Sequence, residues 1–121
     1  GVTGEVLQDG IAYHCDLGLK AISTGTVETN AGRPEMVRLY TLLESEALSK
    51  DHPVHEYFEQ REINLLKEYT FAAKRDGVVD PERTALQVLS AMEGLQLRWL
   101  NESHDIDFVG EWKALIGLLI P

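Results

Sequence analysis

The feature of this sequence that most clearly indicates a functional role is a charged side chain inside an apolar helical stripe. Arg61 shares one helix face with apolar residues, namely Val54, Phe58, Leu65, Tyr69 and Ala72. A guanidinium keeps its charge at any ordinary pH, so it needs a partner or water. Two interpretations stay open. Arg61 forms an intramolecular pair with a carboxylate, or it anchors the polar end of a ligand in a mainly apolar cavity.

Aromatic and methionine positions on neighbouring helices carry the same ambiguity. They are Met36, Tyr40, Tyr57, Met92 and Trp99. Tyrosine and tryptophan supply apolar walls with a polar tip, and methionine adapts its shape to a neighbour. Taken one by one, each of these residues is more typical of an ordinary hydrophobic core.

Catalytic and metal-binding motifs are missing from the sequence. It has no Gly-x-Ser-x-Gly elbow, no phosphate loop, no Gly-x-Gly-x-x-Gly and no His-Glu-x-x-His, and no histidine follows a glutamate by three residues. His52 and His55 could share a helix face, with His14 and Cys15 as further ligands, but a polar helix start explains the histidine pair equally simply. We therefore expect no enzyme, no cofactor and no metal site.

Composition places the chain among globular domains. Its 121 residues, 44% of them hydrophobic, suit one domain spanning residues 1–121. Eleven basic against twenty acidic residues give a net charge of −9, which disfavours nucleic-acid binding by this chain alone. The single cysteine, Cys15, cannot form an internal disulfide and fits a reducing cytoplasm. No apolar run approaches the ~20 residues that span a bilayer, so we expect no membrane contact.

Hydrophobic periodicity predicts an all-α fold of about five to six helices, because apolar residues recur at three- and four-residue spacing. Glycines at positions 10, 18 and 25 predict one broken helix or two short ones over residues 1–32. Three later helices are predicted to begin at prolines, namely Pro34, Pro53 and Pro81. They should end near Ala47, at Gly77 and near Asn101. A fifth should follow Asp105 or Asp107 as cap and run from Phe108 to Leu119.

The fourth helix carries two apolar stripes, which indicates that it packs on two sides. The stripes are Ala85, Val88, Met92, Leu95 and Trp99 on one side, and Leu86, Leu89, Leu97 and Leu100 on the other. A second subunit could cover the second side, so we predict a homodimer in which the last two helices form a four-helix bundle across a two-fold axis. The predicted interface residues are Leu97, Leu100, Trp112, Leu115 and Leu119.

Three segments, in order, resemble the C-terminal regulatory domain of TetR family transcriptional regulators. Residues 30–47 contain Pro34, then Arg38-Leu39-Tyr40-Thr41, and end in Glu46-Ala47. Residues 52–61 contain His52-Pro53, His55, Phe58 and Arg61. Residues 80–100 begin with Asp80-Pro81 and end with Glu93-Gly94-Leu95-Gln96 and Trp99, with Glu93 where an aspartate is more usual. The resemblance covers roughly residues 20–120.

The resemblance implies a domain that binds a small-molecule effector and dimerises, most simply in a repressor. It also implies a separate N-terminal helix-turn-helix domain that contacts DNA and is absent from this sequence. The implied ligand site lies among the central helices, at Met36, Tyr40, Leu43, Tyr57, Arg61, Met92, Gln96 and Trp99. A largely apolar effector, with a carboxylate as one choice of polar end, fits this set. The alternative is a free-standing all-α dimerisation or adaptor module with a solid core and no ligand.

Overall fold

The computed structural model describes residues 17–121, which form five α-helices and no strand and so confirm the all-α prediction. The helices are α1 (Leu19–Ala31), α2 (Pro34–Glu46), α3 (His55–Arg75), α4 (Pro81–Leu100) and α5 (Phe108–Leu119). None of these helices is long and apolar enough to cross a membrane. The predictions for the first sixteen residues, including those for His14 and Cys15, lie outside the described residues.

Two aspartates start the last two helices as predicted. The Asp80 carboxylate accepts a hydrogen bond from the Arg83 N–H at 3.2 Å, and Pro81 occupies the first helical turn. The Asp107 carboxylate accepts from the Gly110 N–H at 3.0 Å. Each carboxylate satisfies one of the backbone donors that a helix leaves unpaired at its N-terminus.

Helix α3 begins two residues later than predicted, at His55 rather than at Pro53. The His52 ring explains the delay, because its Nδ1 accepts the Val54 N–H at 3.2 Å and holds residues 52–54 in a turn. The His55 Nδ1 lies 2.7 Å from the Ala47 carbonyl oxygen and closes the connection from α2. Helix α1 begins directly after Gly18 and runs unbroken through Gly25, and the rest of the stretch predicted as one broken helix or two short ones lies outside the described residues.

Helix α4 contacts all four other helices, with α3 and α5 as its most extensive neighbours. Trp112 of α5 is completely buried, and its indole N–H has no hydrogen-bond partner within the described range 17–121. Trp99 stacks on Phe108, with ring centroids 4.7 Å apart. The buried core consists of Leu19, Val27, Tyr69, Ala72, Ala73, Ala85, Val88, Leu89, Met92, Phe108, Trp112, Ile116 and Ile120.

Helix α2 lies at the periphery and buries only Val37. Arg38 ties it to the rest of the chain by donating a hydrogen bond to the Leu100 carbonyl at 3.2 Å. Met36, Leu39 and Leu42 are more than half exposed. Because burial of apolar surface is the main force that holds helices together, α2 is the least firmly held of the described helices.

The start of α1 is capped from a distant part of the chain. The Asp76 carboxylate, just after α3, accepts the Lys20 N–H at 3.0 Å. A Cβ at Gly18 would overlap the Asp76 carboxylate, so a larger residue there would displace this cap. One side chain thereby joins α1 to the connection between α3 and α4.

We predict that Asp76→Ala lowers the free energy of unfolding by about 1 kcal/mol, because the first turn of α1 loses the side-chain cap that Asp76 supplies. Urea unfolding followed by circular dichroism measures the change. Asp105→Ala, at an exposed position in the loop before α5, is the matched control and should change stability little. Equal losses in both variants would contradict a capping role.

Candidate functional site

Three of the predicted ligand-binding residues come together where α2 meets the start of α3. The Arg61 guanidinium lies 5.7 Å from the centroid of the Tyr40 ring. Tyr40 and Tyr57 each meet Phe58 edge to face, at centroid distances of 6.3 and 5.1 Å. Both tyrosines remain substantially exposed, so they form an open aromatic surface rather than the lining of an enclosed chamber.

Three other predicted residues are engaged inside the chain. Met92 is 4% exposed, and its sulfur lies 4.0 Å from the Tyr69 hydroxyl. The Gln96 side-chain oxygen accepts a hydrogen bond from the Asn30 amide at 3.0 Å, and Trp99 is stacked on the core. These contacts correct the expectation of one cavity lined by the whole set, because core packing has already used these side chains.

The last two predicted ligand residues lie on α2. Leu43 is half-buried, whereas Met36 is exposed in an open groove of about 540 Å³ that runs from Gly32 to Leu39. A second open groove, of about 390 Å³, lies between α2 and the end of α4 and contains Leu42 and Leu97. Both grooves are separate from the aromatic surface formed by Tyr40 and Tyr57.

Sequence reasoning missed three glutamates that meet beside this aromatic surface. Glu44 of α2, Glu62 of α3 and Glu93 of α4 bring carboxylate oxygens within 4.8 Å of one another. We call these three residues the acidic cluster. Each glutamate adjoins a residue that the periodicity does single out, but the alignment of three separate helices is invisible in the sequence.

Burial and nearby negative charge make two members of the acidic cluster, Glu44 and Glu93, hold their protons more tightly than usual. Burial, together with the charges of Glu44 and Glu62, raises the pKa of Glu93 to about 7, while Arg61 opposes the shift. Burial also raises the pKa of Glu44, again against the effect of Arg61. Near neutral pH a substantial fraction of Glu93 therefore keeps its proton, so the cluster carries fewer than three full negative charges.

Arg61 stabilises the acidic cluster through space and not by a direct ion pair within residues 17–121. Its guanidinium packs against Tyr40 while it lowers the pKa of the Glu44 and Glu93 carboxyl groups. The sequence left open a buried pair or a ligand anchor, and the exposed position of Arg61 leaves its donors accessible. The nearby carboxylates would repel an anion, so a ligand with a carboxylate end is disfavoured here.

The acidic cluster by itself does not favour a metal ion. If each carboxylate bound through one oxygen, water would have to supply at least half of the six to eight oxygen ligands that calcium takes. Arg61 adds a positive charge beside any ion placed there. The arrangement does provide protonatable carboxyl groups next to an aromatic, partly apolar surface.

The predicted dimer-interface residues divide between the inside and the outside of the chain. Leu100 and Trp112 are buried in the chain's own core, so they have no surface to offer a second subunit in this arrangement. Leu115 and Leu119 are half-buried, and Leu97 is 58% exposed. The outward side of α5 carries three small residues, namely Gly110, Ala114 and Gly117, next to the exposed Leu118 and flanked by the exposed Glu111 and Lys113.

We predict that Glu93→Gln removes a pH-dependent loss of stability. The folded chain holds this proton with a pKa of about 7 against 4.5 for an ordinary glutamate. Stability contributed by the protonated cluster is complete below about pH 4.5, falls as the pH rises and is lost above about pH 7. Solvent screening limits the effect to about 1–2 kcal/mol.

Urea unfolding at about pH 5 and about pH 8 measures this difference. The parent should lose more stability between the two pH values than Glu93→Gln does. Glu102→Gln, in the exposed loop after α4, is the control and should follow the parent. Parallel behaviour of Glu93→Gln and the parent would show that the carboxyl group of Glu93 titrates normally.

No protein-family model, no curated protein and no solved structure matches this chain. Its function is therefore argued from its own residues and their arrangement.

Proposed function

We propose that this chain is the effector-binding and dimerisation domain of a TetR-like transcriptional regulator, acting as a repressor. A small, largely apolar molecule would bind it and release or alter DNA binding by the whole protein. The observation that carries the proposal is the outward side of α5, where Gly110, Ala114, Gly117 and the exposed Leu118 form a small, weakly polar strip flanked by the charged Glu111 and Lys113.

Gly117 is the strongest indication that another helix packs there. A glycine inside a helix costs about 1 kcal/mol relative to alanine, so it needs a compensating reason. Gly110 has such a reason within the chain, because a Cβ there would collide with the Asp107 cap. A Cβ on Gly117 would meet nothing within 4 Å among residues 17–121. A second subunit packed closely against Gly117 would compensate for the cost of a glycine at this position.

Leu118 and Leu97 extend this surface with apolar area. They are 78% and 58% exposed and belong to the two helices that the resemblance assigns to a dimer interface. Covering them in a two-fold bundle of α4 and α5 would contribute about 25 cal/mol for each Å² removed from water. The proposed interface thus keeps the predicted helices but moves from Leu100 and Trp112 to the small residues on the outer side.

The proposed effector site is the aromatic surface of Tyr40, Tyr57 and Phe58 with Arg61 and the acidic cluster at its edge. Aromatic rings would hold the apolar body of the effector, and the polar groups would bind an end that does not carry a negative charge. Because Glu44 lies on the loosely held α2 while Glu62 and Glu93 lie on α3 and α4, a ligand there would affect how α2 sits on the other helices.

An effector can act only if it binds two arrangements of the protein with different affinities. A coupling free energy of about 1–3 kcal/mol is typical of regulatory proteins. A change in how the weakly packed α2 sits on the other helices could supply a free energy of this size. With its charge of −9, this chain would leave DNA contact to the helix-turn-helix domain that the resemblance implies. A cytoplasmic location belongs to the same proposal.

The second candidate function is a free-standing dimerisation or adaptor module without a ligand. The packing of Met92 and Trp99 in the core favours it, since both were expected to line a cavity. Both proposed functions include the dimer, and the adaptor module differs from the regulatory domain only in binding no effector. A ligand-binding measurement therefore separates the two functions.

We predict that Gly117→Leu converts a dimer to a monomer while the chain stays folded. The new side chain has space in an isolated chain but would hold two packed helices apart. Sedimentation equilibrium measures the mass, and circular dichroism checks the fold. Gly25→Leu is the matched control, since a Cβ on this helical glycine of α1 also meets nothing within 4 Å, and it should leave the dimer intact.

A parent chain that is monomeric at tens of micromolar would contradict the proposed dimer. A Gly117→Leu variant that remains a dimer would place the interface elsewhere on the surface.

We predict that the neutral apolar dye N-phenyl-1-naphthylamine gains fluorescence on binding this chain, and that Tyr40→Ala and Tyr57→Ala each weaken binding about tenfold. Loss of an aromatic wall removes apolar contact area from the dye. Phe71→Ala is the control, because Phe71 is an exposed phenyl ring near the far end of α3. Dye binding that depends on neither tyrosine would favour the adaptor module.

A further inference from the structure

The outer side of α3 concentrates positive charge around exposed apolar residues, in a chain that is acidic overall. Ile63, Lys67, Phe71 and Lys74 follow one another at spacings of four, four and three residues, so they lie on one helix face. Arg75 adjoins them. We call these five residues the α3 outer face. Phe71 is 63% exposed and Ile63 is 41% exposed.

Two cations surround the exposed phenyl ring. The Lys74 Nζ lies 5.5 Å and the Arg75 Cζ lies 6.0 Å from the centroid of the Phe71 ring. The ring is therefore held in place by its neighbours, although most of its surface remains in water. A large apolar side chain kept exposed and oriented is a typical anchor for a partner.

The cations of this face have no carboxylate partner within residues 17–121. Lys67, Lys74 and Arg75 take part in none of the ion pairs of the described chain, although acidic residues outnumber basic ones by twenty to eleven. Glu59, one turn before Ile63, lies 3.4 Å from the His55 ring. Glu62 belongs to the acidic cluster and Glu68 is half-buried.

Helix-end electrostatics explain only part of this arrangement. Cations in the last turn of a helix interact favourably with its negative end, which accounts for Lys74 and Arg75. The effect fades within one turn, so it does not account for Lys67, two turns earlier. It also gives no reason for two large apolar side chains to face water between these charges.

We propose that the α3 outer face is a docking surface for an acidic amphipathic segment of a partner protein. Ile63 and Phe71 lie eight residues apart, about 12 Å along the helix axis, and would receive two apolar side chains of the partner. Lys67, Lys74 and Arg75 would pair with carboxylates placed around those side chains. Charge complementarity selects this partner, because the surface offers cations and apolar contacts together.

A polynucleotide fits this surface less well. Three cations on about 12 Å of helix reach only a few phosphates, and the remaining surface of a chain with net charge −9 repels the rest of the strand. The faces on which a base would stack are also partly taken by Lys74 and Arg75. The docking surface is on a different part of α3 from the proposed effector site and is tested independently of it.

The test uses the 121-residue chain and a labelled helical peptide with two leucines eight residues apart, each flanked by glutamates. Fluorescence anisotropy at low salt should show binding that weakens as the salt concentration rises. Phe71→Ala should weaken binding about tenfold, and Lys67→Glu should do so by a similar factor. Lys50→Glu, at an exposed position before α3, is the matched charge control and should bind like the parent.

Three results would overturn the proposal. The peptide fails to bind the parent chain, or it binds Phe71→Ala and Lys67→Glu as tightly as the parent. Alternatively, an oligothymidylate strand or vesicles of phosphatidylserine and phosphatidylcholine bind the same face more tightly than the peptide, which would reassign the face to a nucleic acid or a membrane. Phe71 and Lys67 are exposed, so both variants should fold, and circular dichroism verifies this.

Discussion

Helix α4 must satisfy four neighbours with a single set of side chains, and the rest of the structure follows from how it does so. Ala85, Val88 and Met92 supply the buried surface between α3 and α5, where small and medium residues allow close packing on both sides. Because α4 occupies the centre, α5 must turn its own bulky side chains inward. As a result, glycine and alanine are among the residues on the outer side of α5.

Within residues 17–121 the sequence predicted the helices well, but it did not show which side chains of different helices come together. Asp80 and Asp107 mark helix starts by a local mechanism that needs no knowledge of the fold, and both cap as expected. The His52 ring also acts locally, by accepting the Val54 N–H and holding residues 52–54 in a turn. The sequence pattern does not reveal this role of a histidine, so the predicted start of α3 was too early. A local interaction can be predicted from the sequence when it uses the residue types that commonly form it.

Tertiary choices explain the remaining differences. The two apolar stripes of α4 suggested its own core on one side and a second subunit on the other. In the structure Leu89 and Leu100 of the second stripe are buried within the chain, whereas Leu86 and Leu97 remain exposed. A stripe tells which residues are apolar but not which helix will cover them. The acidic cluster was hidden for the same reason, since its three glutamates meet only when α2, α3 and α4 are in register.

The remote cap on α1 has a consequence for the order of folding. A helix of 13 residues is marginal in isolation, and the carboxylate that completes its first turn lies 56 residues away along the chain. Forming that hydrogen bond requires closing a long loop, which is slow compared with local helix formation. The first turn of α1 should therefore gain its native protection only after α3 and the turn that follows it have docked. Amide hydrogen exchange at Lys20 would accordingly report on the assembly of the whole bundle and not on the helix to which that amide belongs.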